Sequence, residues 1–152
     1  MFQCSFELNN QPMSAFKLGA FSVPAFSGQA QNVNKRSSAC LVGQGPIPPG
    51  EYYIFDRQAG GRLEWFRNLF SDHSDWFALY AIDGKIDDET FCNRLSRGHF
   101  RLHPKGPRGI SEGCITIEKL SDFHRVRATL KSVSPSAVPG GNLRAYGKVV
   151  VR

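Results

Sequence analysis

The chain has 152 residues, the length of one domain. Apolar residues make up 41% and charged residues 21%, which excludes a disordered chain, and no stretch nears the roughly 20 consecutive apolar residues of a membrane span. Lys and Arg number 19 against 13 Asp and Glu, so the formal charge is +6; this mild excess suits anionic partners in general and selects none of them.

Phe2, Cys4, Phe6 and Leu8 alternate with Gln3, Ser5, Glu7 and Asn9, and that period of two predicts a half-buried strand. Asn9–Pro12 reads as a turn, with Ala15–Leu18 as the returning strand. Residues 19–50 are rich in Gly, Ser, Pro, Asn and Gln and read as long connections with short strands. The stiff turn Gly45–Gly50 feeds a strand at Glu51–Phe55. Leu63–Phe70 reads as a short helix and Trp76–Ile82 as a strand closed by Asp83–Gly84.

A short strand is expected at His99–His103, with Phe100 and Leu102 on one face and His99, Arg101 and His103 on the other. A Gly/Pro loop follows, and β character resumes at Cys114–Ile117. Leu120, Phe123, Val126 and Leu130 recur at helical spacing. After a loop at Ser134–Gly141, Leu143–Val151 reads as a closing strand. No repeat, splitting linker or low-complexity tract is visible, so residues 1–152 are read as a single, mainly β domain.

Cys4, Cys40, Cys92 and Cys114 are widely spaced and contain no C-x-x-C. If one is a catalytic thiol, the other three allow at most one intramolecular disulfide, and the spacing does not say which pair forms it. Met1–Glu7 lacks a basic segment followed by an apolar one, so no Sec-type leader is visible; a cytosolic site, or export by another machine, is expected.

The chemistry concentrates in Phe100–Thr116. His103 ends a strand, a glycine-rich loop follows, and Cys114 opens the next strand eleven positions later. A thiol nucleophile needs a neighbouring imidazole to take its proton, and backbone N–H groups to receive the oxyanion. Gly113, lacking a Cβ, lets the backbone approach a substrate carbonyl.

Ser111-Glu112-Gly113-Cys114-Ile115, with His103 upstream, resembles the catalytic motif of the L,D-transpeptidases, the YkuD-type domain. The form Ser-Glu-Gly-Cys-Ile is similar to the branch delivered into rival bacteria by type VI secretion. Gly45-Pro46-Ile47-Pro48-Pro49-Gly50-Glu51-Tyr52-Tyr53-Ile54 and Phe26-Ser27-Gly28 resemble two further segments of that family, so the likeness spans roughly residues 26–130. Two positions depart: Glu112 stands where the family usually has a second His, and Thr116 where Arg or Asn commonly follows.

The resemblance implies an L,D-transpeptidase-like β-sandwich or barrel with one or two short helices and no cofactor or metal. It implies Cys114 as nucleophile, His103 as its base, Gly113 and Cys114 as oxyanion donors, and Ser111 as a group that orients the imidazole. Substrate carboxylates then fall to Arg101 or Arg108. The implied activity is L,D-carboxypeptidase and exchange chemistry on peptidoglycan tetrapeptide stems, in the periplasm of a target cell. Secretion machinery and a cognate immunity protein are the implied partners.

Three rivals are weighed on the same residues. Gly109–Gly113 fits the Gly-x-Ser-x-Gly elbow of a serine hydrolase using Ser111, with Asp122 and His124 downstream, but lacks the strand before and the helix after. His99, His103, Cys92 and Cys114 offer zinc-ligand types without the usual close pairing. A non-enzymatic cell-wall or nucleic-acid binding module could use Trp65, Phe66, Trp76, Phe77 and Tyr80. The scattered basic residues carry no nucleic-acid motif, so nucleic acid is not expected as a partner.

Overall fold

The computed structural model describes residues 1–57 and 75–152. The short helix predicted at Leu63–Phe70, with Trp65 and Phe66, lies outside the described residues.

Eight strands close into a barrel, so the mainly β expectation resolves as a barrel and not a sandwich. In chain order its strands are β1 (Phe2–Phe6), β2 (Ser14–Leu18), β3 (Phe21–Phe26), β4 (Gly50–Asp56), β5 (Phe77–Ala81), β8 (Arg101–Pro104), β9 (Ile115–Ile117) and β12 (Gly147–Val151). Round the barrel they run β1-β12-β4-β5-β8-β9-β3-β2, and β2 returns to β1. Two pairs are parallel, β1 with β12 and β8 with β9. Closure pairs both sides of every barrel strand, so the barrel itself has no open edge.

The period-two stretches build the interior. Phe6, Phe16, Leu18, Ile54, Leu102 and Ile115 belong to one buried cluster, and each has neighbours on its strand that face outward. The alternation fails on β4 and β5, where both faces are buried. Tyr53, Phe55, Ala78 and Tyr80 form a second cluster outside the barrel, covered by Val138 and Ala145. The covering piece is the small pair β10 (Ser136–Ala137) with β11 (Arg144–Ala145), which the sequence reading divided between a loop and the closing strand.

The helix α1 (Leu120–Lys131) buries Phe123, Val126 and Leu130 against the barrel, while Leu120 is exposed. Lys131 at its end meets Asp56 of β4, whose carboxylate also accepts from the Tyr146 hydroxyl at 2.8 Å. The remaining described elements are the hairpin β6 (Glu89–Cys92) with β7 (Leu95–Gly98) and two 3-10 turns at Ala30–Asn32 and Arg36–Ser38.

Burial also sets a limit on alkaline stability. The Cys4 thiol is pushed up to about 12 by desolvation in the barrel core. An unfolded chain ionises that thiol near its ordinary value of 9.0, while the folded chain keeps it neutral. The unfolded state therefore gains from ionisation first, and stability decreases between the two values. Thermal melts are expected to fall progressively above pH 9, and a Cys4→Ala variant is expected to lose part of that slope.

Candidate active site

Leu102 and Ile115 are register partners on the parallel strands β8 and β9, and both point into the core. Side chains alternate along a strand, so His103 and its partner Thr116 lie on the opposite, outer face. Cys114 immediately precedes β9, two positions before Thr116, and falls on that same face. His103 and Cys114 thus come from adjacent parallel strand segments, two register positions apart. His99 does not join them on a strand as expected. It has φ 57° in the turn ahead of β8, which starts at Arg101.

The His103 ring is held on three sides. Its Nδ1 lies 2.7 Å from the Pro104 carbonyl, and a carbonyl can only accept, so Nδ1 carries the proton in the neutral ring. Nε2 is left as an acceptor, 3.4 Å from the Thr116 hydroxyl. Trp76 stacks on the imidazole with centroids 4.2 Å apart and 17° between planes.

Cys114 sits at the end of a turn that three distant segments pin together. The Ser111 hydroxyl donates to the Cys114 carbonyl at 2.6 Å and accepts from the Gly28 N–H at 3.2 Å and the Gly113 N–H at 3.4 Å. The Ser27 hydroxyl donates to the Gly113 carbonyl at 3.3 Å and accepts from the Ile47 N–H at 2.8 Å. The three segments that carried the family likeness, around Ser27, Ile47 and Cys114, therefore converge on one backbone turn. Gly113 has φ 115°, and a Cβ there would stand 2.5 Å from Arg97 Nη2 and 2.9 Å from the Phe100 ring. A Gly113→Ala variant is expected to lose both stability and turn geometry, read as a lower melting temperature together with reduced thiol chemistry at Cys114.

Ser111 thus differs from its expected role. Its one donor and both lone pairs are committed to backbone groups, so it shapes the cysteine turn while the Pro104 carbonyl orients the imidazole.

Burial pushes the Cys114 thiol up to about 11; the Arg101 charge and backbone N–H act in the opposite sense, and Asp88 and Glu112 reinforce the rise. At neutral pH the sulfur is a protonated thiol, with a weak 3.8 Å contact to the His99 carbonyl.

Arg101 is corrected as a binder of substrate carboxylate. It is 1% exposed and bidentate to Asp88 at 2.8 and 2.6 Å, so an incoming carboxylate has neither access nor an open fork. Asp88 also holds His99 Nδ1 at 3.2 Å. Burial opposes the Asp88 charge, but the hydrogen bonds from Arg101 and His99 hold its carboxyl below the usual range. Arg108 is exposed on the loop between β8 and β9. The buried Arg97 donates to the carbonyls of Ala39, Gly45, Pro46 and Glu112, tying the cysteine turn to the loop ahead of β4.

The rivals fare differently. Cys92 forms a disulfide with Cys40, so it has no thiolate to offer zinc. Ser111 is buried with its hydroxyl committed, and His124 is exposed on α1. Phe77 and Tyr80 are core residues and Trp76 lies against His103, which removes them as an open binding platform.

Sequence reading missed Asp88, Arg97 and Trp76 as members of the site. Arg97 belongs to the β6–β7 hairpin and Asp88 immediately precedes it; the hairpin's turn is Asn93–Arg94, both at positive φ (48° and 65°). Asn is a favoured residue there, but Arg in place of the usual Gly conceals the turn. Trp76 carries no local signal, because only the β5–β8 pairing brings it to His103.

A family model described as the Tlde1 domain matches residues 22–141, which include every segment that shapes the cysteine turn. No curated protein and no solved structure matches the chain.

Proposed function

The chain belongs to the Tlde1 domain family, type VI secretion effectors of the L,D-transpeptidase kind, and from that membership we propose a cysteine enzyme that removes or exchanges the terminal D-alanine of peptidoglycan tetrapeptide stems. The observation that carries this reading is the placement of Cys114 and His103 on one outer face of neighbouring parallel strands, with the imidazole proton on the far nitrogen.

In this mechanism the Cys114 sulfur attacks the carbonyl at the L-centre of the third stem residue, and the thiol proton passes to His103 Nε2. The backbone N–H groups of Cys114 and Gly113 receive the oxyanion; the 3.4 Å Gly113–Ser111 bond is long enough to give way. His103 then protonates the departing D-alanine amine as the C–N bond breaks. Water resolves the thioester by hydrolysis, or a free D-amino acid resolves it by exchange. In either case His103 takes the nucleophile's proton and returns it to the leaving sulfur. Oxyanion donors of this kind are worth about 10²–10³ in rate each.

The Cys40–Cys92 disulfide supports a site of action in an oxidising compartment, as the periplasm of a target cell would be. Such a protein requires an immunity partner and secretion machinery in the producing cell. Arg108, exposed beside the site, is the residue we assign to a substrate carboxylate. An Arg108→Ala variant is expected to raise KM roughly five-fold, about 1 kcal/mol, with kcat and the melting temperature unchanged.

The test is mass spectrometry of purified disaccharide-tetrapeptide after incubation with the oxidised protein. Loss of D-alanine, or its replacement by an added D-amino acid, is expected. Prior alkylation should abolish the reaction, and a serine-directed phosphonate should not. No turnover, or turnover that survives complete alkylation of Cys114, overturns the reading.

A further inference from the structure

The Cys114 sulfur is backed by an ion pair, buried Arg101 with half-buried Asp88, that the chemistry above leaves unused. Arg101 precedes Leu102, the register partner of Ile115, so its backbone stands beside Cys114 across the β8–β9 pairing. Its N–H bonds the sulfur, and its guanidinium is buried on the same side. The counter-charge comes from another part of the chain. Asp88, just before β6, grips both arms of the fork at 2.6 and 2.8 Å and holds the His99 ring at 3.2 Å. The His99 carbonyl in turn faces the sulfur. Every contact of the Asp88 carboxylate named here therefore leads, through one residue, to the reacting atom.

We propose that Asp88 and Arg101 are the positioning pair of Cys114: Arg101 supplies the charge and backbone donor that favour the ionised sulfur, and Asp88 locks Arg101 in place and limits the reach of its charge. This rests on Cys114 being the nucleophile. Among the described residues, three other charged or titratable groups face the sulfur. Glu112 lies on its own turn, Arg97 comes from β7, and His103 from β8. Tyr80 of β5 faces the pair itself.

A buried salt bridge that served only to hold the hairpin would give a different signature. Breaking it from either side would loosen the site and make the thiol more reactive in both cases. A positioning pair gives opposite signs, because the two charges act oppositely on the sulfur. The experiment measures iodoacetamide alkylation of Cys114 in the full oxidised chain between pH 7 and 11, by peptide mass mapping, with folding checked by circular dichroism.

Asp88→Asn is expected to lower the pH at which the rate levels off by about one unit, with alkylation roughly ten-fold faster at pH 8. Arg101→Met is expected to slow it at least ten-fold at pH 9, and Arg101→Lys to restore part of the loss. Where Arg101→Met fails to fold, Asp88→Asn/Arg101→Gln carries the test, since it leaves no unpaired buried charge. That double variant is expected to react more slowly than Asp88→Asn alone. Shifts of the same sign in Asp88→Asn and Arg101→Met, or no difference between Asp88→Asn and the double variant, overturn the proposal. These readouts need no turnover, so they stand apart from the muropeptide assay. Failure there with opposite shifts here would remove the substrate and leave the positioning pair.

Discussion

Substituting Cys114 by alanine is expected to abolish D-alanine release, a loss on the order of 10⁴-fold or more, while the melting temperature moves by only a few degrees. The two expectations have separate causes. The sulfur is the atom of the protein that bonds covalently to the stem in this mechanism, and alanine offers no nucleophile in its place. The fold, by contrast, does not lean on the sulfur. Cys114 is buried but stands outside the main barrel cluster, and the turn that carries it is held by backbone and hydroxyl bonds from Ser27, Gly28 and Ser111. Removal also eliminates a thiol raised to about 11, so the variant should lose part of the alkaline instability of the wild type.

The companion substitution, His103→Gln, removes the base and is expected to lower kcat by about 10²–10⁴. Muropeptide mass spectrometry and differential scanning fluorimetry on the same preparations check these expectations. A Cys114→Ala protein that still releases D-alanine would end the cysteine mechanism. One that no longer folds would show the sulfur to be a packing residue.

The second large effect is expected from the Cys40–Cys92 bridge. Its two half-cystines are 52 positions apart, so in the unfolded chain it closes a long loop, worth about 4 kcal/mol in the chain-entropy model. For a domain of this size that corresponds to a melting temperature roughly 10 °C lower on reduction.

The bridge joins the tip of the β6–β7 hairpin to the loop ahead of β4, the same two parts that Arg97 ties to the cysteine turn. Reduction should therefore lower activity as well as stability. A Cys40→Ser/Cys92→Ser protein is expected to melt about 10 °C lower and to turn over tetrapeptide more slowly at temperatures where it remains folded. The measurement is a melt and a rate on oxidised, reduced and doubly substituted protein, with thiol content counted by mass. Equal melting temperatures across the three would show that the bridge contributes nothing to the fold.

Local pattern carried most of the strands. β1 and β2 follow from the alternation around Phe6 and Phe16, and α1 from the spacing of Phe123, Val126 and Leu130. Where both faces of a strand are covered, as at Tyr52–Phe55, β propensity carries the strand in place of alternation, because a fully buried strand has no polar face to alternate with. The pattern was silent over the β6–β7 hairpin, where Phe91 and Leu95 are exposed and Arg97 is buried, the reverse of what hydrophobicity would place.

Cys114, His103 and the turn-forming Gly113 were therefore legible as residue types at a telling spacing, as was the number of bridges four cysteines could make. Tertiary structure alone decided that β8 and β9 run side by side in parallel, that Cys92 pairs with Cys40, and that Arg101 is buried with both arms of its fork on Asp88. The reason is range. Side-chain periodicity records which face of an element meets the core, within a few residues of chain. The partners of a sulfur, a guanidinium or a strand are set by the closure of the whole barrel, and segments tens of residues apart carry no local mark of one another.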